Sequence, residues 1–241
     1  MKVAKKIEQK IKRISEGTTF KYQQLDITPE EYQAAAKAIE RLIAKELIKR
    51  ASTGVFYKPK KTVFGELRPR EEELLKPYLF VNNKRIAYIT GTVLYNRMGL
   101  TSQVPKTIKI ACRSMRITVN TGSIQAKPVK SYLDVTDDNY YLLEDLDVLK
   151  DFTKIPDLDK KMAIRLLSKK LKEFDEKDKA RIIKYALKYP PRVRAFLGAL
   201  FSEINDSQDY TVLKKSLNPL TSYDLGITEE LLSTVSNWNI K

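Results

Sequence analysis

The chain has 241 residues, 42% of them hydrophobic and 31% charged, and 45 Lys and Arg against 30 Asp and Glu give a formal net charge of +15. That is enough apolar chain to bury a core and too much for a disordered polypeptide. Histidine is absent and Cys112 is the single cysteine, which excludes Ser-His-Asp and Cys-His catalysis, imidazole metal sites, zinc knuckles and an intrachain disulfide.

The eight glycines are scattered and form neither a GxxxxGK[ST] nor a GxGxxG loop, so no cofactor or metal is expected. No apolar run approaches the roughly 20 residues that span a bilayer. The first residues lack the apolar core and cleavage site of a secretory leader. A cytoplasmic protein without a membrane partner is the expectation.

The charge is segregated. Residues 1–61 carry 15 Lys and Arg against 7 Asp and Glu, and residues 62–130 carry 12 against 4. Residues 131–241 carry 18 against 19, so the whole excess lies in the front of the chain. A basic front and a neutral back point to a polyanion partner, nucleic acid ahead of a membrane surface.

Val3, Ile7, Ile11 and Ile14 recur at helical spacing among lysines and predict an amphipathic helix. A short strand over Thr18–Tyr22 and one helical turn over 22–27 follow. Thr28-Pro29-Glu30-Glu31 is a helix start, with a capping threonine and proline at the first helical position. The helix runs from Pro29 to about Lys45. Tyr32, Ala35, Ala36, Ile39, Leu42 and Ile43 are its expected buried stripe; Gln33, Ala34, Lys37, Glu40, Arg41 and Ala44 form the other side. Strands over 47–50 and 55–58, joined through Ser52-Thr53-Gly54, complete the segment.

Helix, strand, turn, helix, hairpin is the order of a winged helix-turn-helix. In that arrangement Gln33, Lys37 and Arg41 face the groove of double-stranded DNA, and Arg50, Lys58, Lys60 and Lys61 contact phosphates from the hairpin. Lys5, Lys6 and Lys10 are candidates for the flanking backbone. The fold class expected is α+β, in three parts: a winged helix-turn-helix over 1–61, a mixed α/β domain over 62–150 and a helical bundle over 151–241.

In the middle part, 64–69 reads as loop and 70–81 as a helix broken or kinked at Pro77. Strands are expected over 86–90, 107–113, 116–121 and 123–130, the last an edge strand because of Pro128. A short helix over 92–98 ends at Gly99, and Thr136 opens another. In the last part, Asp157 or Asp159 caps a helix to about Phe174, Asp175 caps the next, and a third begins at Pro191. Weaker helices are expected near 209–217 and 228–235.

The sequence admits two other readings. A metal-dependent nuclease needs carboxylates converging with a lysine, and Asp134 beside Lys130 is the best candidate. Helix capping accounts for Asp137, Asp157 and Asp175 more simply. A protein-interaction scaffold that binds no duplex is the third reading. Cys112, in an apolar strand, reads as a buried structural thiol.

Ala38-Ile39-Glu40-Arg41-Leu42, Leu47-Ile48-Lys49-Arg50 and Gly54-Val55-Phe56-Tyr57 resemble the N-terminal winged helix of AbiEi-type antitoxins, from bacterial type IV toxin–antitoxin (abortive infection) systems. Where such proteins usually carry glycine before the first wing strand, this chain has Glu46. Thr90-Gly91-Thr92 and Gly99-Leu100-Thr101-Ser102-Gln103-Val104-Pro105 are similar to a step in the antitoxin domain. Together these cover about the first 130 residues. The tail, with Tyr189-Pro190-Pro191 and Leu217-Asn218-Pro219-Leu220-Thr221, is similar to an uncharacterised bacterial branch and brings no functional residue.

The resemblance implies a non-enzymatic transcriptional autorepressor that binds inverted repeats in its own promoter. It also implies an antitoxin that counteracts a nucleotidyltransferase-type toxin of the same operon without a stable complex. Gly91, Gly99 and Pro105 read as structural residues of the matched motif.

Overall fold

The computed structural model describes residues 3–63, 65–121, 124–205 and 207–241. Phe64, Ser123 and Asp206, which open the expected segments 64–69, 123–130 and 206–241, lie outside them. The protein is mixed α+β, and its contacts divide it into two compact units. One comprises residues 1–86 and 117–126; the other comprises 87–116 and 127–241. These units do not follow the boundaries expected at 61/62 and 150/151.

In the first unit, helix α1 (Val3–Arg13) leads to strand β1 (Thr19–Lys21) and a 3-10 turn, Tyr22–Leu25. A second 3-10 turn, Pro29–Glu31, opens helix α2 (Tyr32–Ala44). Here the Glu31 carboxylate accepts the Thr28 N–H at 3.1 Å. Strands β2 (Lys49–Ser52) and β3 (Val55–Tyr57) form an antiparallel hairpin with an irregularity between Arg50 and Ser52. β1 adds antiparallel to β3, so the sheet order is β1-β3-β2.

The core of this unit joins Ile7 and Ile11 of α1 to Ala35, Ala38, Ile39 and Leu42 of α2, over Phe20, Leu25, Ile48 and Phe56. Each large aliphatic group so buried contributes about 2 kcal/mol. The stripe is rotated from the expected one. Ala38 is buried, Ala36 and Ile43 are only partly so, and Tyr32 is 51% exposed. The α-helix begins at Tyr32, after the 3-10 turn, which places that ring outside the seam and 5.1 Å from the Tyr22 ring.

Helix α2 ends with Glu46 in the left-handed region at φ +56°. The Leu47 N–H donates to the Leu42 carbonyl at 3.0 Å and the Glu46 N–H to the Ile43 carbonyl at 2.9 Å, the paired bonds of a Schellman cap. This cap delays β2 to Lys49.

Beyond the sheet, strands β4 (Lys60–Thr62) and β5 (Gly65–Leu67) make a hairpin where loop was expected. Helix α3 (Glu71–Leu79) continues through Pro77. Proline cannot donate to the carbonyl four residues back, that of Glu73. The Thr19 hydroxyl donates to that carbonyl instead, at 2.8 Å, and the Glu73 carboxylate accepts the Thr19 N–H at 3.1 Å. The Lys21 ammonium donates to the Pro77 carbonyl. These bonds hold α3 on β1 and explain why the unit extends past residue 61. Strands β6 (Phe80–Val81) and β7 (Lys84–Arg85) follow, turning through Asn82 and Asn83, both left-handed.

In the second unit, β8 (Ala87–Thr90) pairs antiparallel with β9 (Thr107–Cys112), with helix α4 (Thr92–Arg97) between them. Gly91 has φ +73°, and a Cβ there would fall 2.7 Å from the Lys109 side chain. Gly99, also at φ +73°, closes α4 with the same pair of cap bonds that ends α2. Both glycines thus serve the backbone. Cys112 is buried.

Strands β10 (Val119–Thr121) and β11 (Ile124–Lys130) share a hairpin, and β11 lies between β10 and β9 rather than at an edge. Only residues 124–126 of β11 pair with β10. Pro128 therefore sits past that ladder, where β10 does not call on its missing N–H.

The second unit's core is built on α5 (Tyr140–Asp151), which follows a turn through Asn139 rather than starting at Thr136. The Asn139 carboxamide oxygen accepts the Thr136 N–H at 2.8 Å. Helices α6 (Lys160–Glu173), α7 (Glu176–Ala186) and α8 (Pro191–Glu203) pack with it. Asp159 caps α6 and Asp175 caps α7. Asp157 caps nothing; its carboxylate accepts from Gln103 at 3.0 Å.

In the tail, α9 (Thr211–Lys215) forms, but 228–235 is turn leading to a 3-10 segment, Val235–Trp238. The Trp238 ring lies where a Cβ of Gly198 would be, 2.2 Å from it, so α8 accepts the ring only at a glycine. Among the described residues no helix is long and apolar enough to cross a membrane.

α5 buries three carboxylates, Glu144, Asp145 and Asp147. Asp147 accepts from Tyr88 at 3.0 Å, Thr90 at 2.7 Å and Lys150 at 2.6 Å, which ties β8 to α5. Burial and then the Asp147 charge push the Tyr88 hydroxyl well above the usual phenol range. Asp145 has Lys170 on one oxygen, while its Oδ2 has no partner.

Two outcomes follow from these local geometries. Glu46→Gly removes left-handed strain and raises stability by about 1 kcal/mol in urea unfolding. Burial pushes the Asp145 carboxyl up to about 6 from 3.8, against the opposing pull of Lys170. Between those values the unfolded chain has lost a proton that the native state keeps. Stability therefore falls as pH rises from about 4 to 6, by about 3 kcal/mol from this group. Urea unfolding of Asp145→Asn across that range loses this slope.

Candidate nucleic-acid interface

The first unit carries 20 Lys and Arg against 11 Asp and Glu. Its helix α2 has one face in the core, so residues on the opposite face are held outward by the same packing. Gln33, Lys37 and Arg41 are exposed there. They recur every four residues and span about 12 Å along the axis. Ala34 and Ala44, also exposed, keep that surface low, and Glu40 shares it.

Arg50, on β2, is exposed, and its guanidinium lies 5.7 Å from the centre of the Phe56 ring. Lys60 and Lys61 are exposed on β4, the second hairpin, rather than at the exit of a single wing. The sequence reading placed both beside Lys58 and did not anticipate this hairpin. The only signal for it is the pair of Lys- and Arg-flanked stretches around Gly65.

Lys58 does not join this surface. Its ammonium donates to the Ile14 carbonyl at 3.0 Å and the Lys12 carbonyl at 3.3 Å, closing the end of α1. Its N–H and carbonyl extend the β1–β3 ladder through Thr18 and Gly17. A cation at a helix C-terminus satisfies bare carbonyls and complements the helix dipole, so this lysine is spent within the fold.

Lys5 is exposed on α1. Lys6 pairs with Glu31 at 3.1 Å and Lys10 with Asp26, which ties α1 to the turns before α2. These half-exposed pairs contribute little to stability but partly neutralise both lysines.

The nuclease candidate has a different setting. Asp134 lies 3.5 Å from the Arg113 guanidinium and is 86% exposed at its side chain. Among the described residues no three His, Cys, Asp or Glu side chains converge as a metal site would require. The buried acids of α5 escaped the sequence reading. Their signal was available: Asp145 and Asp147 sit in a helix with tyrosine, leucine or valine on every side, which leaves no face for water.

Replacing Lys58 with Met removes the cap on α1. The expected loss is about 1 kcal/mol in urea unfolding, since a charge-assisted bond at a half-exposed site is exchanged for none.

No curated protein matches the sequence. Among solved structures, the RV2827C protein from Mycobacterium tuberculosis is similar, with a TM-score of 0.49 and 9% sequence identity over 91% of this chain and 83% of that one. A family model, described as a family of unknown function, DUF6088, matches residues 6–173. With more than half its length inside that match, the chain belongs to the DUF6088 family.

Proposed function

We propose that the protein is a DNA-binding autorepressor and antitoxin whose first unit is a winged helix-turn-helix. The observation that carries the DNA-binding part is the outward face of α2, where Gln33, Lys37 and Arg41 stand opposite the buried seam. The order α1, β1, turn, α2, β2, β3, with β1 beside β3, supports this reading. α2 then enters the major groove. Gln33 and Arg41 donate to base edges, and Lys37 donates to a base edge or a phosphate. Arg50, Lys60, Lys61 and Lys5 reach flanking phosphates, and Lys58 serves the fold.

The antitoxin part, the inverted-repeat operator and the nucleotidyltransferase-type toxin rest on the resemblance to AbiEi-type antitoxins. On this reading the protein catalyses no reaction and uses no cofactor.

The test is an electrophoretic mobility shift on the duplex directly upstream of its own reading frame. The parent protein shifts it at low salt. Phosphate contacts by Lys5, Arg50, Lys60 and Lys61, with Lys37 as a fifth, give a log–log salt slope of about −4. Lys37→Ala with Arg41→Ala abolishes the shift and leaves the thermal melt unchanged. An unaltered shift in that double variant overturns the assignment.

A further inference from the structure

Helix α2 turns Ala35, Ala38, Ile39 and Leu42 into the core. At about 100° per residue, the side opposite that seam is shared by Gln33, Lys37, Glu40 and Ala44. All four are exposed. They form a line about 16 Å long, with Arg41 to one side of it. A carboxylate therefore stands in the middle of the outward face.

The fold gives that carboxylate no task. Glu8, Asp26, Glu31 and Glu66 of the same unit each pair with a lysine. Among the described residues the Glu40 carboxylate makes neither an ion pair nor a hydrogen bond. Alanine stands four residues to either side of it, at Ala36 and Ala44, so no cation supports it across a helical turn. Arg50 is close enough that it and Glu40 act with opposite sign on the Tyr22 hydroxyl, yet its guanidinium turns to the Phe56 ring. Glu40 also lies toward the C-terminal end of α2, where a negative charge gains nothing from the helix dipole.

Against a duplex such a group is selective. A carboxylate accepts hydrogen bonds and donates none. Phosphates and the acceptor atoms of guanine and thymine repel it, and the major groove offers donors only at the amino groups of cytosine and adenine. Next to the adenine amino group lies the N7 acceptor, which opposes the second carboxylate oxygen. Next to the cytosine amino group lies a C–H, which does not. Cytosine is the base that this side chain fits.

We propose that Glu40 selects the sequence that α2 binds, by accepting from the amino group of one cytosine in the major groove and disfavouring duplexes without a C·G pair there. The proposal rests on the DNA-binding reading above and names a feature that the DNA must carry. Lys37 and Arg41 supply the attraction; Glu40 restricts where it is realised.

The experiment enriches bound duplexes from a randomised pool, using the full chain and two variants whose thermal melts match the parent. The parent enriches a motif with an invariant C·G pair at one position. Glu40→Ala keeps the other positions, lowers the preference at that one by about tenfold, and binds unrelated duplex at least as tightly as the parent. Glu40→Gln, whose carboxamide both donates to N7 and accepts from N6, moves the preference there to A·T. Lys37→Ala with Arg41→Ala is the control for the DNA-binding reading, because it removes binding itself.

Variants at Glu40 that enrich the parent's motif at every position overturn the proposal and leave the DNA-binding reading intact. A position relaxed by Glu40→Ala that is A·T in the parent's motif does the same, as does a parent protein that binds all duplexes alike. A parent protein that binds no duplex overturns both.

Discussion

The seam between α1 and α2 is the constraint on which the proposed interface depends. Ile7 and Ile11 meet Ala35, Ala38, Ile39 and Leu42, and the small residues on α2 let the two helices approach closely. With that stripe buried, helical geometry leaves no choice about which side chains of α2 face outward. Gln33, Lys37 and Arg41 are presented by default, without further contacts to aim them. The sheet behind completes the arrangement, because Phe20 and Phe56, 5.8 Å apart, fill the space beneath the seam.

The front of the chain was legible because its signals are local. Helical spacing in α1, the Thr28-Pro29 start of α2 and the Gly54 turn each decide their own structure. The candidate residues Gln33, Lys37, Arg41 and Arg50 come from that pattern, and all four are exposed. Tyr32 and Lys58 were misread for a shared reason. Neither the 3-10 start that turned Tyr32 outward nor the bare carbonyls of Ile14 that recruited Lys58 can be seen without the chain's third dimension. Glu46 illustrates the reverse case: the resemblance sets it where glycine is usual, and its φ of +56° gives the physical cost of that departure.

The second unit was harder to read because its decisive contacts are long-range. Asp147 is fixed by Tyr88 and Thr90, which lie 59 and 57 residues away in sequence. Spacing on a helix cannot reveal such a partner. The charge within LLEDLDVL is turned inward, and Asp147 is compensated by two hydroxyls and an ammonium. An ion so enclosed fixes the register of β8 against α5 more than it adds to stability. The tail shows the same difficulty, since Trp238 finds its place only because Gly198, 40 residues earlier, lacks a side chain.

The junction of β1 and α3 makes three separated positions interdependent. Pro77 deprives the Glu73 carbonyl of its helical donor, and the Thr19 hydroxyl replaces it. A proline here is tolerable only while position 19 keeps a hydroxyl, and a threonine buried there is tolerable only while that carbonyl stays free. Relatives that lose one of the pair should lose the other. A fragment cut after residue 61 would strip Thr19 of both partners, so the smallest piece that keeps the first unit's sheet on its natural footing must reach beyond α3.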